Sequence, residues 1–356
     1  MCNLSLCKKE LMIYLKTTEF CNLNCHHCYN GEEGVKLSNF LNTFNKDKTV
    51  EFIKQMDGKF DLIDISFHGG EPLLADPLDM FYTYTAINEM ETDIRWGIQS
   101  NLSMQLDDDR KQLLTILAKN GGMGTSWDYD LRFHTREIYD TWRENVDFIN
   151  DIEGASNTLI VSMSKRLVTE TKAIDIIKFA KSIGFDAILF ERITKSGNAL
   201  NFNRIIPTSA EVDKYTLDMY NDTVETGIYT DIKNNYLSSI LYPYVFGSFT
   251  GCRSRECAQR VMTINANGSI SGCPNSAHKV IFGSINNSFE DVLKAPLRKN
   301  EIIKEQVSKC MQCEYLDRCN GDCYQLTYDD ECYSPKSLYK LLEKLPSPAL
   351  LKKIVL

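Results

Sequence analysis

The chain has 356 residues, 43% of them apolar, and a formal net charge of −8. It is long enough for a large domain plus a smaller one, and its acidic balance argues against non-specific adhesion to nucleic acid, which needs a basic face. No uninterrupted apolar run reaches the roughly 18–20 residues of a membrane span, and Met1 to Lys9 lacks the apolar core of a signal peptide, so no membrane partner and a cytoplasmic location are expected.

In chain order, Leu11–Thr18 is a short apolar run that predicts a strand. Asp61–His68 alternates and ends in the turn signal Gly69-Gly70-Glu71-Pro72. Asp93–Ser100, Gly122–Asp128, Thr158–Ser164 and Ala187–Ile193 read similarly. Helical patterns lie between them at Lys48–Met56, Pro77–Met90, Asp107–Lys119, Arg136–Ile149 and Thr171–Ile183. Ser209–Thr226 predicts a sixth helix. Six strands alternating with helices predict an α/β fold, a partial (β/α)6 barrel with a parallel sheet. In such folds the active site lies at the C-terminal ends of the strands. The cysteine loop, Gly69–Pro72, Ser100-Asn101 and Ser126–Asp128 all fall there.

After about Ile228 the pattern changes. Boundaries are expected at 1–230 for the barrel, 231–251 for a connecting segment, 252–336 for a Cys-rich domain and 337–356 for a helical tail. Val261–Ile264 and Ser269–Ser271, joined by Asn265-Ala266-Asn267-Gly268, read as a small hairpin. This region can bury little core of its own, so metal clusters would supply its cross-links. The tail carries Leu338, Leu341, Leu342 and Leu345 at helical spacing and is expected to pack on the domain. Arg253, Arg255 and Arg260 make a local basic cluster whose plainest reading is solvated surface.

Thirteen cysteines are the anomaly. In a long chain without a signal peptide, clustered cysteines point to metal or redox chemistry rather than disulfides. Cys21, Cys25 and Cys28 lie near the start, and no cysteine follows until Cys252. Eight then fall between Cys252 and Cys332. Cys2 and Cys7 fit neither group and read as free thiols. Thiolates suit iron–sulfur clusters or zinc. Three thiolates in one short loop would leave one iron of a [4Fe–4S] cluster open to an exogenous ligand. A zinc site completed by His26 or His27 is the alternative, and two four-cysteine zinc sites are the alternative for the later eight.

Cys21-x3-Cys25-x2-Cys28 together with Gly69–Pro72 resembles the radical S-adenosylmethionine (SAM) superfamily. The resemblance implies a cluster that reduces SAM to methionine and a 5′-deoxyadenosyl radical, which abstracts a substrate hydrogen. It implies His27 near the adenine, and Gly69, Gly70, Glu71 and Pro72 at the methionyl amino group. Ser100, Asn101, Ser126, Asp128 and Arg192 are expected by analogy at the ribose or the SAM carboxylate. His68 and His134 read as structural histidines.

The later spacing, Gly268-x4-Cys273 and Cys310-x2-Cys313-x5-Cys319-x3-Cys323 with a last Cys332, resembles the SPASM domain of subtilosin, PQQ, anaerobic sulfatase and mycofactocin maturases. The resemblance implies three [4Fe–4S] clusters in all. Cys252, Cys257, Cys273 and Cys323 would hold auxiliary cluster I, and Cys310, Cys313, Cys319 and Cys332 auxiliary cluster II. Sulfatase maturases place an Asp directly after the cysteine matching Cys273. Here Pro274 and Asn275 follow, so formylglycine formation is not expected. The resemblance favours oxidative modification of a peptide. Only twenty residues precede Cys21, too few for a fused leader-binding module. That favours the alternative of a small molecule, sugar or modified nucleobase, or a separate peptide-recognition protein. A reductant such as flavodoxin or ferredoxin is a further implied partner. The catalytic acid or base is not identified by sequence.

Overall fold

In the computed structural model, which describes residues 9–31, 44–254, 256–276, 280–304, 310–326, 332–345 and 347–356, the run ELMIYLKTT forms strand β1, Glu10–Thr18. Five strands follow in sequence and in space: β2 (Leu62–Gly69), β3 (Asp93–Ser100), β4 (Met123–Trp127), β5 (Asn157–Met163) and β6 (Ala187–Arg192). Each pairs in parallel with the one before, β1 on β2 from Glu10↔Leu62 to Lys16↔His68. Between them run helices α1 (Lys46–Lys54), α2 (Pro77–Ile87), α3 (Asp108–Asn120) and α4 (Arg136–Asn150). Asn45, Asp76, Asp107 and Thr135 cap these four, each side chain accepting from a backbone N–H in the first turn, as N-caps do. The sheet is α/β and open, as expected.

The strands alternate between two environments. Ile13, Leu15, Ile63, Ile65, Phe67, Trp96, Ile98, Leu159, Val161, Ile188 and Phe190 face the helices and are buried. Phe67 stacks on Trp96 at 5.2 Å, and Phe190 meets Tyr215 of α7 (Ser209–Thr226) edge to face. Their strand neighbours point the other way. Tyr14, Ser66, His68, Gly97, Gln99, Gly124, Ser126, Ile160 and Leu189 are only half-buried, and Glu191 is exposed. The parallel registers Tyr14↔Ser66, Ser66↔Gly97, Gln99↔Gly124, Ser126↔Ile160 and Ile160↔Leu189 put these residues on one concave face. The barrel therefore has a dry outer core and an open, largely polar lumen.

Three elements differ from expectation. The predicted helix Thr171–Ile183 is present as α6 (Ala173–Ser182), but an unpredicted short helix, α5 (Lys165–Glu170), precedes it, set apart by the extended residues Thr171 and Lys172. The connecting segment holds a two-residue strand, β7 (Lys233–Asn234), and a twelve-residue helix, α8 (Asn235–Phe246). That helix is apolar or aromatic on most sides and contains Pro243, so it carries no amphipathic period and the proline argues against it. The tail is two helices, α13 (Lys336–Leu342) and α14 (Ala349–Val355), which pack on α7 and α8.

The expected hairpin is present as β8 (Val261–Ile264) and β9 (Ser269–Ser271), but it is not a sheet of its own. Strand β8 lies parallel on β1, from Met12↔Val261 to Leu15↔Ile264. With β10 (Ile281–Ser284), the order becomes β10-β9-β8-β1-β2-β3-β4-β5-β6-β7. The Cys-rich region thus extends the barrel sheet beyond its first strand. Short helices α9 (Cys257–Arg260), α10 (Phe289–Lys294), α11 (Pro296–Lys304) and α12 (Leu316–Cys319) complete it. Cys2, Cys7 and Arg255 lie outside the described residues. Among the described residues no helix is long and apolar enough to cross a membrane.

The loop after β3 is fixed from α4. Leu102 is buried with φ of +51°, and buried Asn145 donates from Nδ2 to the carbonyls of Leu102 and Met104, both at 2.8 Å. Asn145→Ala should leave both acceptors unsatisfied and cost about 2–4 kcal/mol. It is checked as a lower urea midpoint by far-UV circular dichroism; an unchanged midpoint would contradict this role.

Candidate active site at the strand ends

The cysteine loop leaves the end of β1. Leu23 N donates to Cys21 Sγ at 3.4 Å, and Cys28 N donates to Cys25 O at 3.1 Å. The loop is gripped from the far side of the barrel by Asn198, whose backbone N donates to Cys28 O at 2.9 Å and whose Nδ2 donates to Cys25 O at 2.9 Å. A Cβ on Gly197 would lie 2.3 Å from Cys28 O, so only glycine permits this approach.

Gly69 and Gly70 serve the same loop. Gly70 N donates to Thr18 O at 2.9 Å and Glu71 N to Phe20 O at 2.8 Å. A Cβ on Gly69 would meet Thr18 O at 2.2 Å, and one on Gly70 would meet Phe20 O at 2.2 Å. The two glycines therefore let the end of β2 lie against the start of the cysteine loop. Pro72 opens a short 3-10 turn, and its carbonyl accepts from Thr17 Oγ1 at 3.4 Å.

Glu71 is fully buried, and its carboxylate is largely occupied. Oε1 accepts from Leu73 N at 3.0 Å and from Ser100 Oγ at 2.8 Å, and Oε2 accepts from Asn101 N at 2.7 Å. Burial raises its pKa, and these donors oppose the rise. Ser100 is spent on Glu71 and on Leu102 N. Asn101 reaches the cysteine loop, donating from Nδ2 to Asn22 Oδ1 at 2.8 Å and to Cys21 Sγ at 3.6 Å. Glu71, Ser100 and Asn101 thus act first on the protein, joining β2 and β3 to the cysteines.

Burial pushes the Cys21 thiol up to about 12 against the Leu23 N–H, and the Cys25 thiol up to about 11 against Arg132. A bound iron would take the place of protons these thiols hold tightly. Three thiols on one loop, with N–H donors onto sulfur, fit three irons of a four-iron cluster.

Beside them, buried Asp128 is flanked by half-buried His27 and Arg132. Asp128 Oδ1 accepts from Ser162 N at 3.0 Å, and Oδ2 accepts from Arg132 Nε at 2.7 Å with His27 Nε2 at 3.5 Å. Burial pushes His27 down to about 4, so the ring is neutral. Its Nδ1 is buried with no hydrogen-bond partner. Burial pushes Asp128 up; His27 and Arg132 push it down and prevail. Arg132 dominates, because a neutral imidazole carries no charge. Arg132 lies within electrostatic reach of Cys25 and Cys21. Sequence reasoning missed it, although it stands four residues after Asp128. Ser126 lies on the lumen face and accepts from Gln99 Nε2 at 3.1 Å.

His68 lies on the half-buried lumen face, and His134 is exposed. Burial pushes His68 down to about 4, and its Nδ1 accepts from Gly69 N at 2.9 Å. His134 packs on His26, whose ring stacks on Phe202 at 4.1 Å.

In the Cys-rich region Cys252 is within thiol hydrogen-bond reach of Cys257 and Cys323, and Cys273 lies near Cys323. Cys257 and Cys323 hold Cys252 well below the usual thiol range, and Cys323 is raised in return. Cys310 and Cys313 share a turn, Cys313 N to Cys310 O at 3.0 Å, while Cys319 Sγ lies 2.9 Å from Ser334 Oγ and Cys332 is exposed. All eleven of these described cysteines are free of disulfides. Among the described residues no three His, Cys, Asp or Glu side chains converge tightly enough for a single metal ion. A four-iron cluster spreads its thiolates over four irons and does not require that convergence.

Arg192 is turned away from the first cysteine loop. Strand alternation puts it on the outer face with Phe190, and its guanidinium donates to Asp322 Oδ2 at 2.7 Å and Oδ1 at 2.8 Å. Its neighbour Glu191 takes the lumen. Glu191 is open to that space yet ringed by protein, within electrostatic reach of Cys252, Asp128 and Arg132, and of Tyr14 on β1. Burial first, then Cys252 and Asp128, push it up to about 7. Sequence reasoning missed it because the register that separates Glu191 from Arg192 is set only by pairing with β5, where Glu191 lies beside Ser162.

Known proteins align with this arrangement. The solved structure of native anSMEcpe with bound AdoMet and a peptide superposes with a TM-score of 0.77 at 14% identity, covering 96% of this chain and 98% of that one. Streptococcus suis SuiB bound to S-adenosylmethionine gives 0.63 at 17% identity, covering 89% of this chain and 74% of SuiB. SuiB bound to its precursor peptide SuiA gives 0.62 at 16% identity, covering 90% and 73%. At these identities the likeness is one of fold. An uncharacterized protein of Methanocaldococcus jannaschii is 31% identical over 93 residues, which span 26% of this chain and 30% of that protein. The model of the Radical SAM superfamily matches residues 15–194, just over half of the chain and the whole run from the cysteine loop to the end of β6. The chain belongs to the radical SAM superfamily.

Proposed function

We propose that this protein is a radical SAM enzyme that oxidises a peptide held in the barrel lumen, with three [4Fe–4S] clusters. Membership of the superfamily carries the first cluster and SAM. Cys21, Cys25 and Cys28 would hold that cluster, which with SAM bound supplies the 5′-deoxyadenosyl radical for hydrogen abstraction. Arg132, held by Asp128, is the fixed cation for the SAM carboxylate, and His27 would lie near the adenine with its buried Nδ1 unspent. Gly69–Pro72, Ser100 and Asn101 hold the loop in position.

Cys252, Cys257, Cys273 and Cys323 would hold auxiliary cluster I, and Cys310, Cys313, Cys319 and Cys332 auxiliary cluster II, which are suited to accepting an electron. The observation that carries the reading is the open lumen in which Glu191 lies within electrostatic reach both of Cys252 and of Asp128 and Arg132 beside the first cysteine loop. Loss of a hydrogen atom, then an electron and a proton, removes two hydrogens from the substrate. Glu191 is the carboxylate placed to take that proton or to bind a donor group beside the reacting carbon. That SuiB binds the precursor peptide SuiA and anSMEcpe a peptide supports a peptide substrate. A flavodoxin- or ferredoxin-like reductant and a separate peptide-recognition protein complete the proposal.

Anaerobically reconstituted protein should hold about 12 iron atoms per chain with matching sulfide. Tightly bound zinc without sulfide would end the cluster reading. Replacing Cys21, Cys25 and Cys28 together by Ala should abolish 5′-deoxyadenosine formation with dithionite while keeping about two-thirds of the iron; normal SAM cleavage by that variant would overturn the assignment. Turnover in deuterium oxide with peptides encoded near the gene should give a product lighter by two hydrogens with one 5′-deoxyadenosine per product. One solvent deuterium at an α-carbon without mass loss would mean epimerisation instead. Activity confined to a small metabolite, sugar or nucleobase would replace the peptide reading.

A further inference from the structure

Asp322 stands between Cys319 and Cys323 in a stretch where three successive residues are left-handed: Asn320 at φ +54°, Gly321 at +77° and Asp322 at +56°. A left-handed aspartate is uncommon and strained, and it persists only where its surroundings hold it. Asp322 is nearly fully buried. Oδ1 accepts from Cys323 N at 2.8 Å and from Arg192 at 2.8 Å; Oδ2 accepts from Arg192 at 2.7 Å and from Ser334 Oγ at 3.1 Å. A second guanidinium, Arg253, lies 3.3 Å from Oδ2. Arg253 is also buried; it donates to Tyr339 Oη at 2.9 Å, and its carbonyl accepts from Asn320 Nδ2 at 2.8 Å.

Two buried cations thus share one buried anion, leaving a surplus positive charge in a site shielded from water. Docking β6 on the Cys-rich region would need only one of the two arginines. The surplus lies against the first of the later cysteine sets: Arg253 follows Cys252, Asp322 precedes Cys323, and Arg192 is within electrostatic reach of both thiols. A cluster with four thiolate ligands becomes more negative on reduction. A fixed positive charge in low dielectric favours that reduced form and raises the potential.

We propose that the Arg192–Asp322–Arg253 network sets the reduction potential of the cluster held by Cys252, Cys257, Cys273 and Cys323, poising it to accept an electron. The inference rests on the reading above that this set holds an iron–sulfur cluster. Arg192 and Arg253 each add one positive charge, Asp322 subtracts one, and the two kinds of substitution must therefore act in opposite directions.

The test is a redox titration followed by electron paramagnetic resonance on full-length, anaerobically reconstituted protein. Arg192→Met should move one cluster signal to lower potential, and Asp322→Asn should move the same signal to higher potential. The signal lost in the triple Cys21, Cys25, Cys28 variant identifies the SAM-site cluster, which should not move. Arg192→Lys keeps the charge without the two-pronged contact and should titrate near the unmodified protein. If Arg192→Met loses its auxiliary cluster, Arg192→Lys and Asp322→Asn still decide the matter. No shift, shifts of the same sign, or an Arg192→Lys shift as large as that of Arg192→Met would overturn the inference. Unmodified protein holding only about four irons per chain would instead defeat the underlying reading, before any variant is titrated.

Discussion

One buried carboxylate organises the mouth of this barrel. Glu71 sits at the end of β2 and accepts from its own turn, from Ser100 Oγ and from Asn101 N at the end of β3. A carboxylate removed from water needs such donors. Meeting that need draws two strand ends together. Gly69 and Gly70 then bring the same turn within backbone hydrogen-bond distance of Thr18 and Phe20, and Asn101 extends to Cys21. The position of the cysteine loop follows from these contacts. Without a Cβ-free approach at Gly69 and Gly70, the loop and the strand end would collide.

The second constraint is the division of the strands into a dry face and an open one. Helices seal the outer residues, and the inner ones are left half-exposed. A lumen of this kind keeps polar side chains such as Gln99, Ser126 and Glu191 in place without filling the space between them. It also explains why Glu191 is both accessible and strongly perturbed: the surrounding protein removes bulk water while the lumen itself stays open.

The Cys-rich region is joined to the barrel at both ends of the original sheet. Strand β8 extends it beyond β1, and the ion pair from Arg192 to Asp322 fastens the end of β6 to the loop carrying Cys323. Ion pairs with a desolvated, two-pronged geometry fix position more firmly than surface pairs do. The barrel and the Cys-rich region therefore belong to one framework.

The six parallel strands, most of their helices and the cysteine spacing were legible in the amino-acid order, because each rests on local chemistry: hydrophobic period, turn glycines and soft ligands close together in the chain. The same order also placed Gly69–Pro72, Ser100, Asn101, Ser126 and Asp128 at strand ends. Helix α8 escaped because an apolar helix with an internal proline has no readable period. The rest depended on which elements meet after folding. Strand pairing put Glu191 inside and Arg192 outside, a distinction of one residue that no local pattern carries. Long-range pairings gave Glu71 its donors, brought Arg132 within electrostatic reach of Cys25 and matched Arg192 with Asp322 across 130 residues. Electrostatic roles depend on which charges meet after folding, and a linear sequence holds the charges without holding the distances between them.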